Sequence, residues 1–166
     1  MDDFTNEQEF IVESEWLIGI DCGHSGLIDG FYDTAPNKMY DHSDFIFYEG
    51  DYNRKIGLKL ADLLKANKVS FYFSTNSNYD TSLNLRCIHA NNMKRLHKDK
   101  KHLFLSIHGN AAPRGAESAR GIEVFTSKGD TDADPMAEIF FKHLESLGWK
   151  MRKDYRDGDS DKEADF

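Results

Sequence analysis

The stretch Trp16-Leu17-Ile18-Gly19-Ile20-Asp21-Cys22-Gly23-His24-Ser25-Gly26 governs the reading of the whole chain. Trp16 to Asp21 is a mainly apolar run bounded by Cys-Gly, the mark of a buried strand, and a histidine follows it directly. The same arrangement recurs downstream. Leu103 to Ile107 reads as a strand, and His108 follows it in Ser106-Ile107-His108-Gly109-Asn110. If the two strands are parallel neighbours, both imidazoles emerge at the carboxyl edge of one sheet, where open α/β folds place their ligands.

Working outward, Val69, Phe71 and Phe73 alternate as a further strand, and Ile122 to Thr126 forms a fourth. Helical patterns lie between them. Ile56, Leu60, Leu63 and Leu64 share one helical face, and so do Leu85, Ile88, Asn92 and Leu96, with Thr81 as the expected N-cap. Asp134 is the expected cap of a third helix, Pro135 suits its first turn, Met136, Ile139, Phe140, Leu144 and Leu147 line it, and Gly148 ends it. Strands alternating with helices predict an α/β fold, with a mostly parallel or mixed central sheet flanked by helices. With 166 residues, 39% of them hydrophobic, the chain suits a single domain over residues 16–166 preceded by an extension over 1–15.

Composition excludes several classes. A net charge of −8 and a pI near 5.3 argue against a phosphate-binding surface, so nucleic acid is not an expected partner. No run of about eighteen apolar residues predicts membrane insertion, and the acidic start from Met1 to Phe10 does not read as a signal peptide. Two cysteines, Cys22 and Cys87, define no disulfide framework and read as reduced thiols. Cys22 stands two residues before His24 as a conceivable soft zinc ligand, but a turn there separates them, and it is left out of the site. Asp157, Asp159 and Asp161 mimic the start of a calcium loop, but Lys162 stands where its glycine belongs, and a solvated acidic loop is the better reading. Gly23-His24-Ser25-Gly26 lacks the final glycine of a serine-hydrolase elbow, since the next residue is Leu27.

Glu49 precedes the first helix and can reach the sheet edge that carries the two histidines. Two neutral imidazoles and one carboxylate, with a fourth position left to water, make a catalytic zinc shell, so His24, Glu49 and His108 are the candidate ligands of one Zn2+. Each alone is more readily an ordinary hydrogen-bonded side chain or helix-dipole partner. Their placement together shifts the balance. Gly23 and Gly109 leave room for backbone to pass close to a metal or substrate. His42, His89, His97, His102 and His143 lack such placement and read as surface or helix residues.

Ile18 to Gly26 resembles the opening Asp-Pro-Gly-His-Gly-Gly element of the zinc-dependent N-acetylmuramoyl-L-alanine amidases that cut peptidoglycan, with Cys22 in place of Pro and Ser25 in place of Gly. Tyr48-Glu49-Gly50 resembles their ligand glutamate, Leu85-Arg86 with Ala90-Asn91 their Arg-x-x-x-Ala-Asn helix, Ser106 to Ala111 their second histidine motif, and Gly121 to Phe125 the strand after it. Five motifs in family order carry the likeness. It implies zinc on His24, Glu49 and His108, Asn110 lining a substrate cleft, and Arg86 and Asn91 as scaffold. It also implies hydrolysis of the amide between N-acetylmuramic acid and L-alanine, with zinc polarising the carbonyl and activating water. The loop from Gly109 to Arg120 is the expected rim of the cleft. The family's second glutamate, its general acid/base on a late strand, has no counterpart before Phe166, so no catalytic acid/base is assigned and the chain reads as truncated. Two other functions stay open: a zinc-containing peptidoglycan-binding or regulatory protein, and a different zinc peptidase. The reading without a signal peptide favours a phage endolysin or virion-associated lysin acting on the bacterial cell wall.

Overall fold

The computed structural model describes residues 8–34, 38–75, 77–110, 118, 120–155, 158 and 160–164. The chain divides into two compact units, Met1–Asn110 and Ala111–Phe166. The first unit is built on a four-stranded mixed sheet. Strand β2 (Trp16–Cys22) lies between β7 (Ser70–Phe73) and β8 (Lys101–Ile107), parallel to both, and β1 (Glu9–Phe10) pairs antiparallel with β7 at one edge. Residues within the segment read as an extension thus supply a strand of the sheet.

Helices cover both faces, which is why β7 is buried along its whole length rather than alternating. Helix α1 (Glu49–Ala66) packs with Ala61 against Ile20, Cys22, Phe71 and Phe73. Helix α2 (Leu83–Leu96) packs with Met93 against Leu17 and Tyr72 on the other face. Two short antiparallel hairpins connect β2 to α1: β3 (Leu27–Ile28) with β4 (Phe31–Tyr32), and β5 (Met39–Asp41) with β6 (Ile46–Tyr48).

The helices stand where the periodicity puts them, and Leu60 and Leu64 of α1 pack against the core as expected, but other expected positions face outward. Ile56 and Leu63 are 52% and 63% exposed, and the buried residues of α1 are Glu49, Gly50, Asn53, Arg54, Gly57 and Ala61. A Cβ on Gly57 would stand 2.5 Å from Cys22 Sγ, so this helix approaches the sheet through small residues, and its amino-terminal half buries polar groups that serve the site. Leu85, Ile88 and Leu96 are likewise exposed on α2, which buries Arg86 and Met93. The N-cap of α2 is Ser82, whose hydroxyl accepts from the Leu85 N–H, whereas the Thr81 hydroxyl pairs with Thr75.

In the second unit, β9 (Phe125–Thr126) pairs in parallel with β10 (Lys162–Glu163), and Ile122 forms an isolated bridge to Met151. The strand expected over Ile122–Thr126 is thus reduced to its end. Helix α3 (Asp134–Ser146) carries Pro135 in its first turn, and Gly148 takes a positive φ just beyond it. Ala133 is its cap residue, and the Asp134 carboxylate instead accepts from the N–H and hydroxyl of Thr131. Ala137 and Phe141 are its buried residues, while Ile139 and Leu147 are exposed. Residues 111–117 and 119 of the expected rim, and Asp157 and Asp159 of the calcium-like run, lie outside the described residues.

Candidate metal centre

The site grows from the ends of β2 and β8. Their parallel register runs from Trp16 opposite Lys101 to Cys22 opposite Ile107, and the Gly23 N–H continues it by donating to the Ile107 carbonyl at 3.1 Å. His108 directly follows Ile107 and His24 follows Cys22 after Gly23, an offset of one residue, and the ring centroids lie 4.9 Å apart with planes at 89°. Gly23 is dictated by this approach: a Cβ there would meet His108 Cε1 at 2.2 Å.

His24 has φ 64°, a left-handed conformation that few residues other than glycine adopt. Such a conformation costs about 1–3 kcal/mol and persists only where its surroundings enforce it. Here three successive carbonyls are held by buried side chains. Arg86 Nη1 donates to Cys22 O at 2.7 Å, Asn53 Nδ2 to Gly23 O at 3.1 Å, and Arg54 Nη1 to His24 O at 2.7 Å. Arg86 Nη2 reaches His24 O as well, at 3.4 Å. Helices α1 and α2 thus grip the histidine loop from both faces of the sheet. Arg86 is anchored in turn by Asp21, whose Oδ1 it meets at 2.7 Å and whose carboxylate also accepts from Ser74 and Ser106.

Glu49 opens α1 and enters between the rings. Its Oε1 lies 3.1 Å from His108 Nδ1, accepts the Gly109 N–H at 2.9 Å, and stands 3.2 Å from His24 Nε2. Burial pushes its carboxyl up, but the bonds from His108 and Gly109 and the nearness of both imidazoles outweigh this and set it below the usual carboxylate value. Burial lowers His24 below an ordinary histidine, and His108 adds to the shift against the pull of Glu49. The neutral imidazole and ionised carboxylate are the protonation states that bind metal.

One atom is left over. His24 Nε2 is buried and makes no hydrogen bond, since its approach to Glu49 lacks the required geometry. A buried ring nitrogen without a partner is costly unless something else satisfies it. The donor atoms of His24, Glu49 and His108 lie within 4.8 Å of one another, and no fourth Asp, Glu, Cys or His joins them among the described residues. Tetrahedral ligands with bonds of about 2.0–2.1 Å stand about 3.3 Å apart. The separations of 3.1 and 3.2 Å from Glu49 therefore suit a small cation of zinc's preference.

Cys22 stays out of this group. It is fully buried among Ile20, Phe71 and Phe73, and burial pushes its thiol up to about 12. Ser25 is buried too and bonds through its N–H and hydroxyl to Thr34, so it serves the loop rather than acting as an exposed nucleophile. Asn110 is exposed two residues after His108, and Asn91 is exposed on α2. Sequence reasoning missed Asn53 and Arg54, which sit four and five residues after Glu49. For Asn53 alone the spacing of about one helical turn from Glu49 was the available signal, since it returns a side chain to the same face.

The family described as N-acetylmuramoyl-L-alanine amidase matches residues 18–160. The chain belongs to that family. Among solved structures, this amidase chain is similar to the catalytic domain of CwlV, an N-acetylmuramoyl-L-alanine amidase from Bacillus (Paenibacillus) polymyxa var. colistinus. The TM-score is 0.60 at 21% identity, over 84% of this chain and 68% of that one, a likeness of fold. No curated protein matches the chain. Family membership makes peptidoglycan the substrate and the cell wall the place of action. No helix among the described residues is long and apolar enough to cross a membrane.

Proposed function

We propose that the chain hydrolyses the amide between N-acetylmuramic acid and L-alanine around one zinc ion held by His24, Glu49 and His108. The observation that carries this reading is the buried, unpartnered Nε2 of His24 beside an ionised carboxylate and a second imidazole. Zinc bound there would supply Lewis-acid chemistry, polarising an amide carbonyl and making water a nucleophile at neutral pH. The chain's own residues prepare the place. Arg54, Arg86 and Asn53 fix the His24 backbone, and the Gly109 N–H fixes the carboxylate of Glu49. Asn110, exposed beyond His108, is the residue we assign to contact with substrate.

Two measurements test this. Elemental analysis should find one zinc per chain, lost in both His24→Ala and His108→Ala and kept in Cys22→Ser. Digestion of peptidoglycan should release new L-alanine amino termini. Amines from residues deeper in the peptide stem would replace this reading with a zinc peptidase, and new reducing sugar ends alone would replace it with a glycosidase. A second reading is favoured by one observation, that no further acidic side chain joins the three ligands among the described residues. It is a zinc-containing peptidoglycan-binding protein with weak turnover, recognised by binding without release of L-alanine.

A further inference from the structure

The hairpin that leads into Glu49 carries an aromatic face with no role in the metal centre. Tyr40 stands opposite Phe47 in the β5–β6 register, and the His42 N–H donates to the Phe45 carbonyl at 2.9 Å, extending the pairing toward the tip. Side chains two apart on a strand share a face, so Tyr40, His42, Phe45 and Phe47 all project from the same side. Three of these rings are in contact with one another, and the fourth meets helix α1. Tyr40 meets His42 at 4.6 Å between centroids, His42 stacks on Phe45 at 5.0 Å with planes 14° apart, and Phe47 meets Tyr52 of α1 at 4.7 Å.

The strip is exposed at its outer end and joined to the active centre at its inner end. Tyr40 and Phe45 are 61% and 51% exposed. Phe47 is half-buried and borders Gly109, where a Cβ would meet its ring at 3.4 Å, and Gly109 is the residue whose N–H holds Glu49. Contiguous exposed rings are costly in water and mark a place where something binds. Within the paired residues Met39–Asp41 and Ile46–Tyr48 no Asp, Glu, Lys or Arg shares this face, since Asp41 lies on the opposite one with Ile46; Lys38 directly precedes them. The pyranose rings of N-acetylated sugars are uncharged and present flat C–H faces and an acetamido methyl, which pack on aromatic rings.

We propose that Tyr40, His42 and Phe45, continuing through Phe47, form a subsite for the glycan strand of peptidoglycan, positioning the sugar whose amide enters the metal centre. This rests on the amidase reading above, because it takes the occupant from the substrate of the neighbouring site.

The test uses the full chain and peptide-free strands of alternating N-acetylglucosamine and N-acetylmuramic acid, titrated calorimetrically. Wild type should bind, and Tyr40→Ala with Phe45→Ala should weaken binding at least tenfold. Tryptophan at both positions should restore it. Ile46→Ala removes a 40% exposed apolar side chain from the other face of the hairpin and should change the affinity less than twofold. Equal binding by wild type and the double variant, an equal loss in Ile46→Ala, or no glycan binding by wild type would each overturn the proposal. So would a loss seen with an alanine-initiated stem peptide in place of the glycan, or a shift in sedimentation showing that the strip joins two copies of the chain. Glycan titration needs no turnover, so the two readings fail separately. Discriminating glycan binding without release of L-alanine refutes the amidase assignment and keeps the subsite, whereas L-alanine release with indifferent variants refutes the subsite alone.

Discussion

Asp21 and Arg86 meet at 2.7 Å with both side chains almost fully buried. Burial pushes the Asp21 carboxyl up, but hydrogen bonds from Ser106, Ser74 and Arg86, together with the guanidinium charge, outweigh it and hold the group below the usual carboxylate value. A depressed carboxyl stabilises the fold fully above its unfolded value of about 3.9, and that contribution is lost as pH falls through the folded value. Arg86→Leu leaves the carboxylate buried without its cation, so at pH 7 it should cost about 3–5 kcal/mol. Protonating Asp21 relieves that charge, so the difference from wild type should shrink when urea unfolding is repeated near pH 3. A difference that stays constant or grows would mean that Arg86 acts through packing alone. Gly23→Ala should act at a different point. The new methyl would stand 2.2 Å from the His108 ring, so zinc affinity should fall about 10–100-fold, the scale for disturbed support of a ligand, as read by chelator competition. At this scale the sequence was most informative about the clustering of His24, Glu49 and His108, because a histidine just after a strand has few places to go. It was silent on Arg54, since an arginine inside a helix reads as solvated until the neighbouring carbonyl appears.

The sequence located α1 and α2 and put Leu60 and Leu64 against the core, but it misassigned Ile56 and Leu63 and most of the α2 face, for a physical reason. An apolar stripe shows the core only when the core-facing side of a helix is apolar. The inward side of α1 carries Asn53 and Arg54, committed to the carbonyls of Gly23 and His24, and then Gly57 and Ala61, which are too small to register as a stripe. Ile56 and Leu63 are thereby left outside. Replacing either with Gln should change the unfolding free energy by no more than about 0.5 kcal/mol. Gly57→Val, although it adds apolar volume, should destabilise by about 1–3 kcal/mol, because its Cβ would press on Cys22 Sγ at 2.5 Å. Chemical denaturation of the three variants checks the assignment. A large loss at Ile56 together with tolerance at Gly57 would show that α1 faces the sheet as its apolar pattern alone predicts. The strand at Ile122 to Thr126 was overread for a related reason, since alternation marks a preference that only a partner converts into a ladder.

All three proposed ligands belong to the unit that spans Met1–Asn110, and so does Trp16, while the other tryptophan, Trp149, belongs to the second unit. In a Trp149→Phe variant, fluorescence therefore reports on the first unit alone. Zinc at about a hundred times its dissociation constant should stabilise that transition by about 2.7 kcal/mol, and the gain should vanish in His24→Ala. No shift with zinc in the parent variant would refute binding to the folded centre. The β2–β8 ladder adds a consequence for the order of events during folding. Asp21 and Ser106, which bond across it, are 85 residues apart in the chain, and the two histidines stand immediately beyond that ladder. Closing so long a loop is slow, and the donor atoms cannot converge until it has closed. The cation would then be captured late, after the rate-limiting step. It would leave the refolding rate nearly untouched and lengthen the lifetime of the folded unit, so that zinc works as a latch on a door already shut.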